Sequence, residues 1–176
     1  MALLGEVGDD LRWHCFFHLA GGPWTSDSLD KMLEKMRFSR REKRTIANLE
    51  RLSKVTDQPL QAATLLLRLA RDGASDLNKL RIYLQIVGKR QKWKTTRLLL
   101  ELIDGLLTQP EPEIPRHELM KHEPQKRGEV VDLAKVFWYL DPTRDKNKLR
   151  KLVANPDEFR KQLQDDALSE CPPDAG

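Results

Sequence analysis

From Ser39 to Leu107 the apolar residues return at every third or fourth position, and no stretch of the chain sustains the alternation with β-branched residues that a strand requires. Ile46, Leu49, Leu52 and Val55 form one stripe. Leu98, Leu99, Leu102, Ile103, Leu106 and Leu107 form another. A period near 3.6 lays such residues along one face of a helix, and each face must be buried against another element. The pattern predicts an all-α fold of packed helical hairpins, about eight to nine helices with no sheet.

The punctuation between the apolar runs sets the boundaries. Residues 9 to 20 read as a first helix, capped by Asp9 or Asp10 and stopped by Gly21-Gly22-Pro23; it is apolar nearly all round, hence buried. Thr25 and Ser26 offer caps for a second, with Leu29, Met32, Leu33 and Met36 on one face. Ser39 and Glu42 have the spacing of a capping box, in which each side chain satisfies the other's orphan amide. Pro59 suits the first turn of a fourth helix ending at Asp72-Gly73, whose run AATLLLRLA belongs at the centre of a core. Ser75-Asp76 caps a fifth, and a sixth runs from about Lys92 to Leu107.

Pro110, Pro112 and Pro115 then read as a stiff, exposed connector. The expected organisation is a helical body over 1–109, a smaller helical domain over 110–166 and a loose tail over 167–176. In the second domain Gly128 opens a helix from about Glu129 to Leu140, with Val130, Val131, Leu133, Ala134, Phe137 and Trp138 on its apolar side. A basic helix near Asp145 to Ala154 and a short helix from Pro156 to about Gln164 follow.

Composition narrows the class of function. Apolar residues make up 39% and charged residues 33%; the formal net charge of +4 is the difference between 31 basic and 27 acidic side chains. That is mild basicity, so a nucleic-acid surface has to come from local clustering. The two cysteines, Cys15 and Cys171, make neither a disulfide framework nor a zinc ribbon, and suit an intracellular, reducing compartment, cytoplasm or an organelle matrix. No apolar run reaches membrane-spanning length, and the acidic N-terminus lacks the charged and apolar regions of a signal peptide.

Motifs for catalysis fail one by one. His14 and His18 stand at i and i+4, a spacing that can chelate a metal, but in an apolar segment with no further ligands; core or capping roles fit them better. HELMKH, residues 117 to 122, puts its second histidine one residue too late for a zincin helix. Neither cysteine has a base nearby, and there is no Gly-x-Ser-x-Gly and no Walker-type loop. The pairs Asp9-Asp10 and Asp165-Asp166 are not the Asp-x-Asp of a two-metal site. No cofactor is expected.

Basic clusters remain. Arg37, Arg40, Arg41, Lys43 and Arg44 crowd the start of a helix whose N-terminus is already dipole-positive, a costly placement unless an anion binds. Lys89, Arg90, Lys92 and Lys94 surround Trp93, a pattern suited to a stacked base with its phosphate neutralised. Lys121, Lys126 and Arg127 precede Gly128, where amides at a helix start could face a phosphate. Lys146, Lys148, Arg150 and Lys151 make a fourth group. A solvated charged face accounts for any one cluster; several together favour RNA.

Two stretches resemble one family in the same order. Leu11 to Leu19, Leu29 to Met36, and Met36-Arg37-Phe38-Ser39 with its basic helix are similar to the region after the catalytic head of class II tRNA nucleotidyltransferases, the bacterial-type CCA-adding enzymes and poly(A) polymerases. Glu118-Leu119-Met120, the loop and Gly128 resemble that family's tail motif, with Arg116 standing where a glycine is usual. His18-Leu19 replaces the His-Asp of related metal-dependent phosphohydrolases, and the Gly-Ser and Asp-x-Asp elements of the family's head would lie upstream of residue 1. The resemblance therefore implies a non-catalytic module, the neck, body and tail without the head, that holds tRNA or other structured RNA within a ribonucleoprotein or RNA-processing complex. An RNA-binding subunit of a split nucleotidyltransferase and a helical protein-interaction scaffold are the alternatives. The scaffold would show an apolar patch around Phe137, Trp138 and Tyr139.

Overall fold

A computed structural model describes residues 38–71 and 77–169, together with 31, 34 and 35. The first expected helix, and the second apart from Lys31, Glu34 and Lys35, lie outside the described residues, as do His14, His18, Arg37 and both cysteines. Within them the chain is helical and contains no strand. The helices are α1 (Arg40–Lys54), α2 (Pro59–Arg71), α3 (Leu77–Tyr83), α4 (Thr96–Thr108), α5 (Arg116–Met120), α6 (Pro124–Leu140), α7 (Lys146–Ala154) and α8 (Pro156–Ser169). None is long and apolar enough to cross a membrane. The chain forms two compact units, one from residues up to Val55 with Leu65–Trp93, the other from Thr56–Thr64 with Lys94 onward.

In the first unit α1 starts where its box dictates. The Glu42 amide donates to Ser39 Oγ at 3.2 Å, and the Ser39 amide donates to the Glu42 carboxylate at 2.6 Å. Ile46, Leu49 and Leu52 are fully buried, while Val55 sits past the last turn and is half-buried. Helix α3 runs into a π-helical stretch, Leu84–Gly88, and ends in a Schellman motif. Lys92 takes a left-handed φ of 54°, its amide donating to the Lys89 carbonyl and the Trp93 amide to the Gly88 carbonyl. That motif folds the residue after the left-handed one back on its helix. The sixth expected helix accordingly begins at Thr96 and not at Lys92.

The second unit is built around α6. Helices α4, α5, α7 and α8 all contact it. Its buried residues, Val130, Leu133, Ala134, Val136, Trp138 and Tyr139, cover most of its circumference at 100° per residue, so the one-sided stripe expected from the sequence is instead the pattern of a central helix. Gly105 is what lets α4 come close: a Cβ built there would stand 2.0 Å from the Tyr139 carbonyl oxygen.

Helix α4 before the proline connector and α6 after it belong to one compact unit. The connector is strapped to α6. The Trp138 indole N–H donates to the Pro110 carbonyl at 3.0 Å, Lys135 Nζ lies 2.8 Å from Glu111, and Pro112 is buried. A polyproline-like segment has free carbonyls to offer, and α6 takes one of them. Helix α6 also starts earlier than Glu129, at Pro124 in its first turn.

Candidate nucleic-acid interface

In the first unit Arg40, Arg41 and Arg44 are exposed on the opening turns of α1, with no partner among the described residues, and Lys43 is half-buried. Lys89, Arg90 and Lys92 are exposed at the end of the π-helical segment. Trp93 is not the stacking platform that its basic neighbours implied. It is 8% exposed, because the Schellman turn tucks it into the core, and a ring already covered offers no face to a base. Lys94 is exposed in the second unit.

The cluster before Gly128 is committed elsewhere. Arg127 Nε donates to the His122 carbonyl at 3.0 Å and its Nη2 to the Met120 carbonyl at 3.1 Å, so the guanidinium closes the C-terminal end of α5. Lys126 is offset by Glu123 at 3.4 Å, and Lys121 by Glu118 at 2.8 Å. The Lys121 hydrogen bond holds the Glu118 carboxyl below the ordinary carboxylate range. Gly128 is the fifth residue of α6, past the orphan amides of the helix start, so the expected phosphate-facing amide is spent within the helix. His122, half of the rejected zincin pattern, has its Nε2 at 2.5 Å from the Val153 carbonyl, tying the turn after α5 to the end of α7.

The fourth cluster divides by helical phase. Lys146 and Arg150, one turn apart on α7, line a groove of 410 Å³ together with Arg116 at the start of α5. Its remaining walls are Glu113, Ile114, Pro115, Asn147, Leu149 and the edge of Trp138. Arg116 and Lys146 have no partner among the described residues, and Arg150 approaches Glu118 only at 4.0 Å. Three cations thus line the groove with one carboxylate, Glu113, and Glu118 stands 4.0 Å from Arg150. Lys148 lies 200° around α7 and lines a different groove, of 460 Å³, with Lys94, Arg97, Glu101, Asp141 and Asp166 over an apolar floor. There three cations meet three carboxylates, and the charges balance.

Sequence reasoning missed Arg116 as a partner of α7, because nothing local shows that the start of α5 and α7 meet. The i, i+4 spacing of Lys146 and Arg150 was the available signal. The aromatic patch expected of a scaffold is closed: Trp138 and Tyr139 are buried, and Phe137 is half-buried with its ring edge-to-face on Phe159 at 5.3 Å. Among the described residues no three His, Cys, Asp or Glu side chains gather as a metal site would require. The chain matches no family model, no curated protein and no solved structure.

Proposed function

We propose that this chain is a non-catalytic RNA-binding module that grips structured RNA, tRNA-like or ribosomal, through phosphate contacts and shape. The observation that carries the reading is the groove in the second unit, where Arg116, Lys146 and Arg150 converge from α5 and α7, with Glu113 in the lining and Glu118 only at 4.0 Å from Arg150. Cations brought together by the fold in excess of nearby carboxylates hold a polyanion better than the same charges spread over a surface. Arg40, Arg41 and Arg44 of the first unit support the same reading, since Arg40 and Arg41 in the first turn of a helix cost about 0.3–1 kcal/mol apiece unless an anion offsets them, and Arg44 stands one turn on. The resemblance to the neck, body and tail of class II tRNA nucleotidyltransferases agrees with it in partner and in the lack of chemistry.

The test is crosslinking of the protein to RNA in cell extract, followed by binding of the recovered RNA at increasing salt. Affinity should fall by orders of magnitude between about 50 and 200 mM salt if six or more phosphates are contacted. Charge reversal at Arg40, Arg41 and Arg44 should weaken binding without unfolding the protein. Recovery of no RNA above background would remove the proposal, and unchanged binding in the triple variant would remove α1 from the site.

A further inference from the structure

The groove of the second unit is unlike a plain phosphate-binding surface. It is concave, and its lining sets the half-buried Ile114 and Pro115 beside the cations, with Leu149 and Trp138 buried. A duplex presents its phosphates on the outside of stacked pairs, and a cavity below that surface goes unused. An unpaired nucleotide presents a phosphate and a flat base together. A volume of 410 Å³ is that of a small-ligand pocket, enough for one nucleotide.

The walls are also preformed. Trp138 is fixed by its hydrogen bond to the Pro110 carbonyl, and the ring of Pro115 limits the backbone just before α5. The turn into α7 is clamped twice. Asp141 accepts from the Thr143 amide at 2.9 Å, and Asp145 caps α7 by accepting from the Asn147 amide at 2.8 Å. Little ordering entropy remains to be lost in these walls when a ligand enters, and only the exposed Arg116, Lys146 and Arg150 side chains have to order on the phosphate.

We infer that this groove seats an unpaired nucleotide of the bound RNA, its base against Ile114 and Pro115 and its phosphate on Arg116, Lys146 and Arg150. The inference rests on the RNA-binding reading and sharpens it to a single-stranded segment. Asn147 supplies a test that leaves charge untouched: it is exposed, lines the groove and uses only its backbone amide in the helix cap. Asn147→Trp fills the space where the base would lie.

Binding of a single-stranded oligonucleotide and of a blunt duplex would be measured for the wild type, Asn147→Trp and the double variant Lys146→Ala/Arg150→Ala, each confirmed folded by circular dichroism. Loss of about tenfold or more in single-strand affinity in Asn147→Trp, with duplex affinity unchanged, is the expected result. Unchanged single-strand affinity in Asn147→Trp overturns the inference while leaving RNA binding intact. Binding of neither RNA by the wild type overturns both. Adenosine monophosphate titrated alone separates the sources: saturation as tight as the oligonucleotide's would make the ligand a free nucleotide, and that too overturns the assignment to RNA.

Discussion

Gly105 and Gly128 both lie inside helices, yet alanine has opposite consequences at the two positions. At Gly105 the added methyl meets the Tyr139 carbonyl oxygen at 2.0 Å and its carbonyl carbon at 2.7 Å. Backbone cannot swing aside as a side-chain tip can, so α4 and α6 must separate. Gly105→Ala should destabilise by about 3 kcal/mol or more, read from urea unfolding. At Gly128 nothing lies within 4 Å of the new methyl, and the residue is exposed on α6. Removing a glycine's conformational freedom there should stabilise by roughly 0.5–1 kcal/mol. RNA affinity of Gly128→Ala should match the wild type; a clear loss would restore this backbone to the binding surface. The sequence does not show which of the two glycines has backbone packed against it. The difference lies in which neighbour the fold brings near, and that is non-local.

Helix α1 shows what local rules do determine. Ser39, Glu42 and the Ile46–Leu49–Leu52 stripe were readable because the cap and the stripe answer only to residues within a turn or two. Hydrogen bonds from Ser39, first its hydroxyl and then its amide, hold the Glu42 carboxyl below its ordinary value of 4.5. A carboxyl depressed in the folded state adds stability that is complete above the ordinary value and is lost as pH falls through the lowered one. Glu42→Gln should therefore lose less stability than the wild type between pH 7 and pH 3 in urea titrations. Equal acid losses in the two proteins would show that the box is not closed in solution. The start of α6 was misread for the complementary reason. Gly128 looked like a helix opening, whereas Pro124 at the first turn and the Arg127 bonds to the preceding turn extend the helix four residues further back. The strap on the proline connector is likewise not legible locally, because it is the indole of Trp138, twenty-eight residues on from Pro110.

Across the molecule, the net charge of +4 conceals a sorting of cations that only tertiary structure reveals. Lys121, Lys126 and Arg127 are already matched to carboxylates or carbonyls. Arg116 and Lys146 have no such partner among the described residues, and Arg150 is held only loosely by Glu118. By count of basic residues the two groups looked equivalent in the sequence; by available charge they are not. Counterion release makes the difference measurable, because the slope of log affinity against log salt falls by about 0.7 for each single-strand phosphate contact removed. Alanine at Arg116, Lys146 and Arg150 together should lower that slope by roughly 2 and weaken every RNA sequence alike. Alanine at Lys121 and Lys126 removes cations whose charge the neighbouring glutamates already offset, so the slope should stay near that of the wild type. Equal falls in the two variants would mean that the RNA reads only the total charge, and the groove would lose its claim to the phosphate.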